Sequence, residues 1–62
     1  MTFRELLKEN DMSCARLARK IGVSRSLVSL WAKGKSRPKL ELVPVLAELF
    51  SVSAEDIINC FI

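Results

Sequence analysis

The sequence predicts an all-α fold, a compact bundle of five short helices in one domain over residues 1–62. Three observations carry this. Apolar residues recur at helical rather than alternating spacing. Hydroxyl residues able to cap a helix stand before these apolar sets, at Thr2, Ser13, Ser24 and Ser53. No stretch alternates as a strand does, and no repeat or low-complexity segment interrupts the pattern. Half of the residues are hydrophobic, enough for a core in so short a chain. A chain of this size buries only about 60% of the surface its unfolded form exposes, so stability is marginal.

The first helix opens at Thr2, with Glu5 completing a capping box, and ends near Asn10. Phe3, Leu6 and Leu7 share its inner face. Ser13 caps a second helix running to about Ile21, with Leu17, Ala18 and Ile21 inward and Arg16, Arg19 and Lys20 outward. Gly22 then ends it, since glycine enters the left-handed region without strain. Val23 lies in the turn and Ser24 caps the next helix. Some three residues between two helices is the spacing of a helix-turn-helix. The third helix, about 25–33, buries Val28, Trp31 and Ala32 and stops at Gly34. Leu40 to Phe50 reads as a fourth helix with Leu42, Leu46, Leu49 and Phe50 as its apolar face. Pro44 requires that helix to start late, near Glu41, or to kink. Ser53 and Asp56 open a short fifth helix, Ala54 to about Cys60.

The charges are sorted along the chain. From Met12 to Leu40 there are eight Lys or Arg and no Asp or Glu, whereas the remainder holds two basic residues against seven acidic ones. A net charge of +3 conceals this separation. Asymmetry of this kind points to a polyanionic partner. Arg25, Ser26, Ser29, Leu30 and Lys33 fall on the outer face of the third helix. Arg offers paired donors to guanine, and Ser donates to bases or phosphates. Lys33, Lys35 and Arg37 sit at the helix end and in the loop beyond, where a phosphate backbone would pass. Ser24 combines helix capping with phosphate donation. Leu30 either meets a thymine methyl, packs against a neighbouring loop or is simply a tolerated exposed leucine. Trp31, beside Val28, is core.

Other function classes find little support. With no His, and with Cys14 and Cys60 far apart, the chain offers neither a metal set nor a nucleophile–base pair, so no enzyme, metal or cofactor is expected. The two cysteines read as reduced thiols at or near packed positions. No apolar run approaches the roughly 18 residues that span a bilayer. The charged N-terminus lacks a signal-peptide core, which makes the expected location cytoplasmic.

The stretch "LARKIGVSRSLVSLWAKGKSRPKLE" carries Leu17-Ala18, Gly22-Val23-Ser24, Val28-Ser29, Trp31, Gly34, Pro38 and Leu40 in a familiar order and spacing. It resembles the Cro/C1-type (XRE-like) helix-turn-helix family of phage repressors and bacterial regulators, over Phe3 to Ile57. The resemblance implies a lambda-repressor-like DNA-binding domain whose third helix reads the major groove. Base contacts would fall on Arg25, Ser26, Ser29 and Leu30, and backbone contacts on Cys14, Ser24, Lys33, Lys35 and Arg37. Four departures stand out. Cys14 replaces a Gln common in the family, and a thiol is a weak donor. Ala15 and Arg16 replace common acidic residues, Ser51 replaces a common Gly, and Pro44 is unusual. The reading is a sequence-specific double-stranded DNA-binding transcriptional regulator, a repressor. It would pair as a homodimer on a palindromic operator through the apolar "DIINCFI" segment (Ile57, Ile58, Phe61, Ile62). The alternatives are an antitoxin or protein-interaction adaptor on the same fold, and non-specific nucleic-acid binding by charge alone.

Overall fold

A computed structural model of the chain describes residues 2–61. Five α-helices follow in order: α1 (Phe3–Glu9), α2 (Cys14–Ile21), α3 (Arg25–Ala32), α4 (Val43–Phe50) and α5 (Ala54–Asn59). A single 3₁₀ turn, Leu40–Leu42, leads into α4. There is no strand among the described residues. The expected all-α architecture is the one observed.

Four helices begin on the hydroxyl residues expected of them. Thr2 Oγ1 accepts from the Glu5 amide at 3.2 Å while Glu5 Oε1 accepts from the Thr2 amide at 2.9 Å. Ser13 and Ser24 accept from the Arg16 and Leu27 amides, each at 3.1 Å. Ser53 and Asp56 form a second reciprocal box. Each oxygen satisfies an amide that has no partner inside its helix.

The ends of α1 to α4 share one device. Asp11, Gly22, Gly34 and Ser51 all have left-handed φ, between 51° and 74°. In each case the next residue's amide reaches back five positions: Met12 to Leu7, Val23 to Ala18, Lys35 to Leu30 and Val52 to Ala47, at 2.9–3.0 Å. This six-to-one bond is the Schellman closure, which satisfies an orphan carbonyl and turns the chain away from the helix axis.

The fourth helix differs from the expectation. It starts at Val43, not near Glu41, and it is not kinked. Pro44 therefore lies in the first turn, where its missing N–H leaves no intrahelical bond unmade. The buried face becomes Val43, Leu46, Ala47 and Phe50, an unbroken i, i+3, i+4, i+7 stripe, while Leu42 and Leu49 are only half-buried.

All five helices contribute to one core. Trp31, Phe3, Leu6, Leu17, Leu46, Ile57 and Val28 are its largest fully buried side chains. Phe3 is the aromatic centre. It meets Trp31 and Phe50 edge-on, each at 6.0 Å between ring centroids, and Phe61 at 5.3 Å. Burial of Ile57 and this contact of Phe61 spend much of the C-terminal apolar segment on the core. Ile58 remains exposed, and Ile62 lies outside the described residues.

Candidate nucleic-acid interface

The geometry of α3 begins one residue after α2. Gly22, at φ +74°, closes α2, and only Gly22, Val23 and Ser24 separate Ile21 from Arg25. Half-buried Val23 packs against the core and pins the turn. Ser24 then fixes the first residue of α3 through its cap to Leu27.

The inner face of α3 sets the rotation of the outer one. Val28 and Trp31 are 0% and 1% exposed. At about 100° per residue, residues near the opposite side must face out. Arg25, Ser26 and Lys33 are exposed, and Ser29 is half-buried at the edge. Leu30, at 39% exposure, is an exposed large apolar residue on an otherwise polar face, not a residue covered by a neighbouring loop. These five side chains border one open groove. The structure thus brings together all four residues expected to read bases, with Lys33 at their end.

The expected phosphate contacts divide. Ser24 is exposed at the α3 N-terminus, with its hydroxyl hydrogen free to donate. Lys35 and Arg37 are exposed but border neither the α3 groove nor the one beside it. Arg37 instead edges an apolar hollow formed with Pro38, Leu40 and Ile58. Cys14 is half-buried and packed against the core, so its thiol forms a wall rather than a projecting donor. Burial likewise pushes the Cys60 thiol above its ordinary pKa, which keeps it protonated at neutral pH.

Two cations escaped the sequence reading. Arg4 and Lys8 of α1 border a second groove together with Ser13, Cys14 and Ser29. They lie just before the basic segment, interleaved with Glu5 and Glu9 in the acidic remainder of the chain. Their spacing on α1 holds the only signal, since residues four apart share one helix face. Among the described residues, no group of His, Cys, Asp or Glu is placed to hold a metal ion, and no helix is long and apolar enough to cross a membrane.

A family model described as helix-turn-helix matches residues 3–57, which includes α1 to α4 whole and α5 as far as Ile57. The chain belongs to the Cro/C1-type helix-turn-helix family. Its relatives within the helix-turn-helix proteins are diverse. It is 35% identical over 54 residues to an uncharacterized HTH-type transcriptional regulator of Archaeoglobus fulgidus, covering 87% of this chain and 77% of that protein. It is 33% identical over 56 residues to the antitoxin PezA of Streptococcus pneumoniae, covering 90% of this chain and 35% of that protein. It is 29% identical over 63 residues to the HTH-type transcriptional activator BcrR of Enterococcus faecalis, covering 95% of this chain and 31% of that protein. The helix-turn-helix chain thus spans about a third of the length of the latter two. No solved structure matches it.

Proposed function

We propose that this chain binds double-stranded DNA in a sequence-specific manner, with α3 in the major groove. The family match and the regulators among its relatives support reading it as a DNA-binding transcriptional regulator. The observation that carries the specific reading is the partition of α3. Its inner face is locked into the core, and its outer face presents Arg25, Ser26, Ser29 and Leu30 along one open groove. Arg25 offers paired donors to a guanine edge, the two serines donate or accept, and Leu30 supplies an apolar surface for a thymine methyl. Lys33, Lys35 and Arg37 neutralise phosphates, Ser24 donates to one, and together they hold the register. Cys14 adds steric contour rather than a hydrogen bond.

The mechanism is occupancy, with no chemical step. Bound at an operator in the cytoplasm, the domain represses by excluding polymerase. One such unit reads only a few base pairs, so two copies on a palindromic site are needed for a unique address. Selection of bound duplexes from a random pool tests all of this. A shared half-site with two-fold symmetry is the expected result, and a pool that stays random after several rounds overturns sequence-specific binding.

The similarity to the antitoxin PezA favours a second reading, in which the same DNA-binding unit serves a toxin–antitoxin pair. That reading keeps the α3 interface and adds a protein partner. Co-purification of a stoichiometric partner encoded beside this chain would support it.

A further inference from the structure

We propose that α1 is a second backbone-contacting element, in which Arg4 and Lys8 take the phosphates of the strand that runs beside α3. The inference rests on the DNA-binding reading above and extends it to a helix outside the basic segment.

The charges of α1 are sorted around its axis. At about 100° per residue, the four charges run in the order Arg4, Lys8, Glu5, Glu9, with Lys8 some 40° from Arg4 and 60° from Glu5. The cations lie on the Leu7 side of this arc, and the carboxylates on the Leu6 side. Leu6 and Leu7 are both buried, so this sorting is fixed relative to the core. Glu5 is further occupied by its own cap, with Oε1 accepting from the Thr2 amide at 2.9 Å. The basic edge of α1 is therefore turned toward α2 and α3, and its acidic edge is turned away.

On that basic edge, exposed Arg4 and Lys8 border a groove whose other walls include Ser13, Cys14 and Ser29. Ser29 also borders the groove that holds Arg25, Ser26, Leu30 and Lys33. The two depressions therefore adjoin at one α3 side chain. A duplex seated against the outer face of α3 carries a phosphate strand on each side of its major groove. Lys33 and the loop beyond α3 serve one side, and the groove at α1 lies open to the other. Within that second groove Cys14 is a poor donor. Without Arg4 and Lys8, its polar lining would be the neutral hydroxyls of Ser13 and Ser29, which can donate to a phosphate but bring no charge to it. Two long cationic side chains at its rim supply the complement that a polyanionic strand needs.

The test is the double variant Arg4→Gln/Lys8→Gln, titrated by fluorescence anisotropy against the selected duplex and a scrambled one at several salt concentrations. Both positions are exposed and glutamine favours helix, so circular dichroism melting should match the parent. The expected result is roughly 10-fold weaker binding to both duplexes at low salt, with the log–log salt slope shallower by about 1–2. Neutral methylphosphonates on the strand flanking the α3 half-site should weaken the parent but not the double variant. Affinity within about twofold of the parent, an unchanged slope, or equal methylphosphonate penalties in both proteins would overturn the proposal. These outcomes leave the specific-regulator reading intact as long as the parent still prefers its selected duplex. A parent that binds both duplexes equally well sinks that reading, while the slopes still decide the role of α1.

Discussion

Gly22 and Ser51 hold the same backbone conformation at the same place in a Schellman closure, at φ +74° and +56°. Only Gly22 has the residue that conformation favours. Nothing lies within 4 Å of where a Cβ on Gly22 would sit, so Gly22→Ala meets no clash and its cost is purely conformational. Thermal melting should show a loss of about 1 kcal/mol, the left-handed penalty less the reduced entropy of the unfolded chain. Ser51→Gly should run in the opposite direction and stabilise by about 0.5–1 kcal/mol. A destabilised Ser51→Gly would mean that the serine side chain contributes more than its backbone strain costs. On the outer face of α3, Arg25→Ala should cost about 1–3 kcal/mol on the selected duplex and relax preference at one base pair. Lys35→Ala should weaken selected and scrambled duplexes alike, because a phosphate contact carries no sequence information. Competition binding with single-base operator variants separates the two. Equal losses on both duplexes for Arg25→Ala would remove it from the reading set.

At the scale of the helix, cap chemistry carries a pH dependence. The Thr2 amide and hydroxyl, bonded to the Glu5 carboxylate, hold its carboxyl below the ordinary value. A carboxyl depressed in the folded state contributes stability above its unfolded pKa and loses it as pH falls through the folded value. The melting temperature should therefore drop as pH falls through and below the ordinary carboxyl range, and Glu5→Gln should flatten part of that drop. An identical pH profile in Glu5→Gln would remove the cap as its source. The same local chemistry explains why α1, α2, α3 and α5 were legible in the sequence. Each starts on a hydroxyl residue that caps it, and α1 and α5 add an acid three residues on. The start of α4 was not legible, because no side chain caps it. Apolar spacing from Leu40 onward does not distinguish a 3₁₀ turn from the first turn of an α-helix. Pro44 marked the difficulty and only packing resolved it. The α3 face was legible because buried and exposed residues separate cleanly within eight positions. Arg4 and Lys8 were not, because a charge count along the chain has no knowledge of which helices end up side by side.

At the scale of the molecule, the apolar surface left outside the core bears on how two copies meet. Leu40 is 78% exposed and Ile58 44%, and both border the same hollow beside Pro38 and Phe61. They lie eighteen positions apart in the chain, so the fold, not local sequence, assembles this patch. A two-fold contact through it would bury two such side chains from each copy. Full burial of an exposed Leu or Ile is worth about 1.5–3 kcal/mol, and Ile58 starts half-covered, so the gross gain is roughly 4–9 kcal/mol. Association costs on the order of 4–15 kcal/mol in lost freedom. The balance runs from weakly favourable to unfavourable, and free protein should sediment as a monomer at micromolar concentration. On a palindromic duplex the half-sites hold both copies in register, so the cost of bringing them together falls and the same patch yields cooperativity. Leu40→Ser/Ile58→Ser leaves net charge and α3 untouched. It should abolish cooperative filling of the full palindrome while leaving affinity for an isolated half-site within about twofold of the parent. Cooperativity that survives the double substitution would place the contact between copies elsewhere, or transmit it through the DNA itself.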